Sequence, residues 1–309
     1  MAPSPWKTWT ALGLVYVVWG STYLAIRYVV QGLPPLLTAA TRFLIAAALI
    51  ASFLLLKRRS FRASRRAWLN GVGIGLLLLL GGNGGVTIAE SHGLPSGLTA
   101  LIIAAVPLYI VLLRMGLRDR PSPRTLTGVA IGFVGLGVLL LPGTRPAGVS
   151  VGAAVLVLGA SFLWSIGSVL ATRLELPQDP LVTTVAEMLG GAAGLAITGI
   201  ARGEQLPGSG VPATSFVALG YLVVFGSVVA FTAYSWLLGT APVSKVATYA
   251  YVNPVVAVVL GALIAGEQLT PVSVIGGLIT VVAVAVVVSD PPVVQEPEDL
   301  QGLVRSANT

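Results

Sequence analysis

Two charged residues stand inside long apolar stretches of the sequence, where a charge is costly if the stretch crosses a membrane. Arg42 lies in PLLTAATRF and Glu187 lies in PLVTTVAEM. A charge in such a position contacts a substrate or pairs locally for structural reasons, and we favour the structural role for both. We expect Arg42 to reach the nearer membrane interface or pair with Glu90, and Glu187 to pair with Lys245.

Aromatic and amide side chains near the middle of other apolar stretches are suited to binding a small molecule. Tryptophan and tyrosine rings stack on apolar groups, and asparagine forms hydrogen bonds. The alternatives are core packing for the rings and helix–helix contact for the amides. The candidate substrate-binding residues are Trp19, Asn83, Trp164, Tyr249 and Asn253. Pro107 and Pro254 are candidate helix breaks or hinges, because a proline frees a backbone carbonyl.

The sequence lacks the patterns that catalysis requires. There is no GxxxxGK[ST] phosphate-binding loop and no HExxH metal motif, and cysteine is absent. The single histidine, His92, falls in a predicted loop, where a surface position is the expected one. We therefore predict no catalytic residue, no metal site and no cofactor.

The composition is typical of a chain embedded in a lipid bilayer. Of its 309 residues, 55% are hydrophobic and 9% are charged, and the mean hydropathy is +0.92. A soluble domain carries about 25% charged residues, so this chain has too few charges to cover a water-exposed surface. The net charge of +7 then indicates membrane topology and not nucleic-acid binding.

Apolar runs separated by turn residues and charges predict the transmembrane segments, since a helical span needs about 20 apolar residues. The first run is too long for a cleaved signal peptide, and we expect it to be retained. The ten predicted spans cover residues 9–29, 35–56, 68–89, 95–113, 123–141, 151–171, 180–200, 213–238, 243–264 and 271–288.

The distribution of lysine and arginine predicts the orientation of the chain. With the N-terminus in the cytoplasm, these residues divide 14 to 2 between the cytoplasmic and outer sides, and Arg27 and Arg42 remain in spans. The densest group is KRRSFRASRR at residues 57–66. Because cytoplasmic loops are enriched in these residues, both termini are expected in the cytoplasm.

The two halves of the chain share a collinear pattern. Aligning PLLTAATRF with PLVTTVAEM places Glu187 opposite Arg42, and the same offset aligns Trp19 with Trp164. Further matches at slightly longer offsets are Pro95 with Pro242, Pro107 with Pro254, and Asp119 with Glu267. Each half would hold five spans, and an odd number makes the second half enter from the opposite side. Inverted repeats of this kind occur in many secondary transporters, which bind substrate near midplane between the halves.

The fold class predicted from these patterns is an all-α integral membrane protein with ten helices in a five-plus-five inverted repeat. The first repeat would occupy residues 1–145 and the second residues 146–290. Residues 291–309 would form a cytoplasmic tail.

Segments at corresponding places in the halves resemble a known family. They are VSKVATYAYVNPVVAVVLGALIAGEQLTPVSVIGGLITVVAV in the second half, and LPSGLTALIIAAVPLYIVLL followed by RPSPRTLTGVAIGFVGLGVLLL in the first. With WGSTYLAIR near the start, they resemble the EamA-domain family of the drug/metabolite transporter superfamily over residues 12–288. The resemblance implies a ten-span inverted fold that exports small metabolites, often amino acids, from the bacterial cytoplasm. Small multidrug members carry a glutamate in the first span for cations, and this first span has no acid, which argues against cationic drugs.

These observations lead to a hypothesis of function. The chain would be a secondary transporter in the bacterial inner membrane that exports amino acids, aromatic or other neutral ones, or similar metabolites by alternating access. An exporter of nucleobases, sugars or cationic drugs is the alternative, and a membrane-embedded enzyme is the least favoured. The expected partners are a small-molecule substrate and the lipid bilayer, without nucleic acid, and a monomer is compatible with the sequence.

Overall fold

The computed structural model describes residues 5–117, 121–139, 141 and 150–289, and this part of the chain consists of helices joined by turns, without strands. Asp119 and the predicted tail at 291–309 lie outside these residues. Eight of these helices are long and apolar enough to cross a membrane, and two further apolar helices are shorter. In chain order the helices are α1 (Pro5–Val30), α2 (Pro35–Leu56), α3 (Arg65–Ser91), α4 (Ser96–Gly116), α5 (Pro123–Leu139), α6 (Val151–Ala171), α7 (Pro180–Ala201), α8 (Ala213–Thr240), α9 (Val243–Ala265) and α10 (Pro271–Ser289).

Carboxylates from distant parts of the chain cap two helix N-termini, whose first amides have no partner inside the helix. Glu204 accepts hydrogen bonds from the first amides of α2 at 3.0 and 2.9 Å. Glu267 accepts from the first two amides of α4, both at 3.0 Å, and also forms an ion pair with Arg27 of α1. The negative charges stabilise the positive ends of the helix dipoles and tie the helices together.

Helices of the first half pack mainly against helices of the second half. Helix α2 packs along α7, and α5 packs along α10. Helix α1 contacts α8 and α9, whereas α6 contacts α3 and α4. In addition, α3 contacts α7 and α2 contacts α8. Residues that project from the middle of these helices are therefore brought together from both halves.

Two helices at this interface contain π-helical segments in the described part of the chain. The middle of α3 is π-helical over Leu76–Gly84, and the middle of α8 is π-helical over Leu222–Phe231. A π-helix shifts each backbone hydrogen bond by one residue, and such segments are rare and frequently lie at functional sites. Their presence in α3 and α8 indicates where a site would be found.

Glycines allow α3 and α7 to touch through their backbones. A Cβ atom at Gly75 would lie 1.9 Å from the carbonyl oxygen of Glu187, and one at Gly190 would lie 2.4 Å from that of Val72. Side chains larger than hydrogen would force the helices apart. Close packing through small residues is a main source of helix association in lipid, where apolar burial contributes little.

We expect Gly75→Ala to lower the thermal unfolding temperature of the purified protein, because the added methyl group collides with the backbone of α7. Gly73 is the matched control, since a Cβ there meets nothing within 4 Å. Gly73→Ala should preserve or raise the unfolding temperature, because alanine favours a helix over glycine by about 0.8–1.0 kcal/mol. Equal unfolding temperatures for the two variants in detergent would contradict this account of the packing.

Candidate functional site

A small cavity lies where helices α1 to α4 meet α6, α8 and α9. Its wall includes Trp19, Asn83, Trp164 and Tyr249, which are four of the five substrate-binding candidates from the sequence, together with Arg42. The cavity volume is about 60 Å³. A water molecule needs about 10–15 Å³ on this measure, so the cavity has room for a few waters.

Aromatic rings from four helices form one side of the cavity and pack against each other. The ring of Trp19 lies 5.4 Å from that of Trp164 and 5.2 Å from that of Tyr249, both edge to face. It also lies 4.8 Å from Tyr234 and 6.4 Å from Phe231. Separations of this size are favourable for aromatic pairs. The cluster joins α1, α6, α8 and α9.

Hydrogen bonds fix the orientation of the rings. The indole nitrogen of Trp164 donates to the hydroxyl of Tyr234 at 3.0 Å, and that hydroxyl lies 2.6 Å from Oγ of Ser168. The indole nitrogen of Trp19 donates to the carbonyl oxygen of Gly226 at 3.2 Å, within the π-helical segment of α8. Since the polar atoms of these rings have partners within the protein, the rings offer their faces and edges to the cavity.

Asn83 lies on the cavity wall in the π-helical segment of α3. Its backbone carbonyl accepts a hydrogen bond from Oγ1 of Thr87 at 2.9 Å. Its side-chain oxygen Oδ1 is buried and has no hydrogen-bond partner among the described residues. A buried acceptor without a partner costs about 1–3 kcal/mol, so a group that enters the cavity and donates a hydrogen bond would be stabilised here.

The structure places Asn253 away from the cavity wall. The residue is 1% exposed. In the amide orientation that satisfies its surroundings, its nitrogen donates to the carbonyl oxygens of Tyr16 at 2.9 Å and Tyr249 at 3.2 Å. These bonds join α1 to α9 and hold the backbone of Tyr249.

Arg42 is buried and lines the cavity. It is 4% exposed and therefore does not extend to the membrane interface. Its Nε donates to Oγ of Ser227 on α8 at 2.7 Å, and its guanidinium carbon lies 4.7 Å from the ring centre of Phe43. Glu90 is not its partner, since neither carboxyl oxygen of Glu90 has a hydrogen-bond partner among the described residues.

Glu187 also has a serine partner on α8. It is 1% exposed and accepts a hydrogen bond from Oγ of Ser235 at 2.7 Å. Lys245, the partner expected from the sequence, lies instead over the ring of Trp9, with Nζ 4.7 Å from its centre. Arg42 and Glu187 thus have separate local contacts, both on α8.

The two candidate hinge prolines occupy different positions relative to the interruptions of their helices. Helix α4 is interrupted at residues 104–105, and Pro107 follows in the first turn of the next helical segment. Helix α9 is interrupted at residues 247–248, whereas Pro254 lies inside the helical segment that begins at Tyr249. A proline cannot bond to the carbonyl four residues earlier, which explains an interruption ahead of Pro107. The interruption in α9 lies too far from Pro254 to have that cause.

Two rings of the cluster, Phe231 and Tyr234, were not among the five substrate-binding candidates from the sequence. Both lie at or just beyond the π-helical end of α8, where a regular helix would direct them differently. Gly226 and Ser227, which interrupt the apolar run of this segment, are the sequence signal that points to it. The π-helical geometry itself has no signature in the sequence.

Comparison with known proteins identifies the family. The EamA-like transporter family matches residues 7–141 and again residues 151–289. The chain belongs to the EamA-like transporter family. This confirms the resemblance seen in the sequence.

Two relatives of this EamA-family chain come from Escherichia coli (strain K12). The chain is 40% identical over 263 residues to the "Uncharacterized inner membrane transporter YedA", covering 85% of this chain and 84% of that one. It is 25% identical over 276 residues to a "Probable amino-acid metabolite efflux pump", covering 86% and 89% of the two chains. A solved crystal structure with 23% identity shares the fold, with a TM-score of 0.64 over 91% of this chain and 95% of that chain.

Two asparagine substitutions should separate a site residue from a structural one. We expect Asn253→Ala to lower the unfolding temperature, because it removes two backbone contacts worth about 0.5–1.5 kcal/mol each. Asn83→Ala should leave the unfolding temperature unchanged or raise it, because it removes an unpaired acceptor, yet it should reduce transport. Thermal unfolding in detergent and flux into proteoliposomes measure the two effects. An equal loss of stability in both variants would assign Asn83 to helix packing.

Proposed function

We propose that this EamA-family protein exports amino acids or similar small metabolites across the bacterial inner membrane. The observation that carries the proposal is the cavity between the halves, where aromatic rings meet a buried arginine and an unpaired amide oxygen. Aromatic rings bind apolar and aromatic side chains, and the polar groups suit the charged ends of an amino acid. The names of the two relatives, an inner membrane transporter and a probable amino-acid metabolite efflux pump, support this assignment.

The packing of the helices supports an inverted repeat of two five-span halves. Exchanging the halves turns the α1–α9 contact into α6–α4, the α1–α8 contact into α6–α3, and the α3–α7 contact into α8–α2. The α2–α7 and α5–α10 contacts are exchanged with themselves. The π-helical segments also lie in exchanged helices, α3 and α8. We infer that all ten helices span the membrane, with repeats at residues 1–145 and 146–290 and both termini in the cytoplasm.

The mechanism we propose is alternating access. The cavity is lined from both halves, so a rocking motion of one half against the other would open it to one side of the membrane at a time. Its volume of about 60 Å³ requires the halves to separate before a whole amino acid enters. The interruptions of α4 and α9 supply places where the helices bend. Arg42 on the wall disfavours a cationic drug, because the two positive charges would repel each other.

The orientation can be tested with single cysteines, because the chain contains none. Ser60 lies in the basic loop assigned to the cytoplasm, and Ser209 lies in a loop assigned to the outside; both are exposed. A membrane-impermeant thiol reagent should label Ser209→Cys in intact cells and Ser60→Cys only after the membrane is opened. Labelling of Ser60→Cys in intact cells would contradict the proposed topology.

Transport can be tested with purified protein in proteoliposomes, using amino acids, nucleobases, sugars and quaternary amines with and without a pH gradient. We expect flux of amino acids, recovered unmodified, which also separates transport from enzymatic conversion. Trp164→Ala should reduce this flux by about tenfold, since it removes a ring of the cavity wall, and a ring contact with the substrate is worth about 0.5–1.5 kcal/mol.

Trp6→Ala is the matched control for this experiment, because Trp6 is 67% exposed and distant from the cavity. It should transport like the wild type. Equal flux through the Trp164→Ala and Trp6→Ala variants would exclude the aromatic cluster from the transport pathway. Flux of nucleobases or sugars without flux of amino acids would show that amino acids are not the substrate class.

A further inference from the structure

We propose that Arg42 and Asn83 bind the two ends of a zwitterion, with the guanidinium of Arg42 holding the carboxylate and Oδ1 of Asn83 accepting from the ammonium. The inference rests on the proposed function and specifies how substrate binds in the same cavity. It also gives Arg42 a role different from the structural one expected from the sequence.

The charge of Arg42 has no ion-pair partner among the described residues. Within the described part of the chain, the ion pairs are Arg27 with Glu267 and Arg59 with Asp179, and Arg42 belongs to neither. Removing a cation from water is costly unless an anion or several hydrogen bonds replace the lost hydration. A hydrogen bond to Ser227 and the ring of Phe43 offset only part of that cost.

Arg42 lines the cavity and has N–H donors that no described residue accepts. A guanidinium has five N–H donors, and the one hydrogen bond it makes to the described residues uses Nε. The terminal nitrogens therefore remain available for a bidentate bond to a carboxylate, the geometry in which arginine binds anions most strongly. A carboxylate that enters the cavity would supply the missing negative charge.

The position of the guanidinium is set by the π-helical segment of α8. A Cβ atom at Gly226 would lie 2.8 Å from a terminal nitrogen of Arg42, so the guanidinium packs against this glycine. The carbonyl oxygen of Gly226 accepts the hydrogen bond from Trp19. Gly226 therefore contacts both Arg42 and Trp19, and places the cation beside the aromatic cluster. A site for an amino acid with an apolar side chain needs both a charged group and an apolar surface.

Asn83 supplies the complementary group on the neighbouring helix. Its Oδ1 is buried and lacks a partner among the described residues. Both Asn83 and Arg42 line the cavity. An ammonium group donates hydrogen bonds and accepts none, so it fits Oδ1 and is repelled by Arg42. The pair thus fixes the direction in which a zwitterion binds. A neutral sugar or nucleobase would leave the charge of Arg42 uncompensated.

The experiment compares four probes that differ only at the charged ends. They are L-phenylalanine, L-phenylalanine amide, phenethylamine and 3-phenylpropionate. Binding to purified protein is measured by the change in tryptophan fluorescence, since Trp19 and Trp164 lie on the cavity wall. Arg42→Gln should weaken the binding of L-phenylalanine and 3-phenylpropionate by about tenfold or more, the effect of losing about 1.4 kcal/mol. It should preserve or strengthen the binding of phenethylamine, because a repelling charge is removed. Asn83→Ala should weaken the amines and spare 3-phenylpropionate.

Control variants separate binding from folding. Arg59→Gln removes an arginine that is paired elsewhere, with Asp179, and should keep the wild-type order of affinities. Arg42→Lys keeps the charge without the bidentate geometry and should bind carboxylates with intermediate affinity, which preserves the test if Arg42→Gln does not fold.

The outcomes distinguish this inference from the proposed function. Unchanged preference for carboxylates in folded Arg42→Gln or Arg42→Lys protein would overturn the inference, even if amino acids are exported. A loss of carboxylate binding reproduced in full by Arg59→Gln, or no binding of any probe to the wild type, would also overturn it. Binding of 3-phenylpropionate that depends on Arg42, without flux of amino acids, would support the carboxylate site and reject amino-acid export.

Discussion

The hydrocarbon core of a bilayer offers no hydrogen bonds, so a backbone group that leaves the regular helical pattern needs a partner inside the protein. Within the residues that the structure describes, four helices leave that pattern: α3 and α8 in π-helical segments, and α4 and α9 at interruptions. All four contribute to the cavity wall. The carbonyl of Gly226, which accepts from Trp19, shows how a side chain supplies the partner. The cavity is therefore a consequence of where irregular backbone is tolerated.

Helix α8 forms hydrogen bonds with side chains of four other helices. Arg42 of α2 and Glu187 of α7 bind its serines, and Trp19 of α1 and Trp164 of α6 donate to its backbone and to Tyr234. Hydrogen bonds to buried charged groups are worth about 1.5–3 kcal/mol each. A movement of α8 must carry these groups along or exchange their partners, so its position and the shape of the cavity are coupled.

The sequence predicted the helices well because bilayer thickness fixes the length of an apolar run. It also pointed to Trp19 and Trp164, which line the cavity, because aromatic rings are unusual at mid-span. The sequence was less informative about the direction in which each side chain points from its helix. Depth follows from counting residues at about 1.5 Å each, but a helix that is apolar on every side does not reveal which way a residue faces. Asn253 was therefore predicted at a plausible depth, yet its amide turns to the backbone of Tyr16 and Tyr249. The π-helical segments, which direct Phe231 and Tyr234, depend on tertiary packing.

The positions that align between the halves divide into two kinds, and the difference gives the site its polarity. Trp19 and Trp164 are the same residue in equivalent places and pack edge to face. Arg42 and Glu187 are equivalent in the same alignment but carry opposite charges, and only Arg42 is part of the cavity wall. Two identical halves would offer the same groups to both ends of a bound molecule. Divergence at the charged position gives the wall one cationic side, and in the binding mode proposed here a molecule with two unlike ends would bind in one direction.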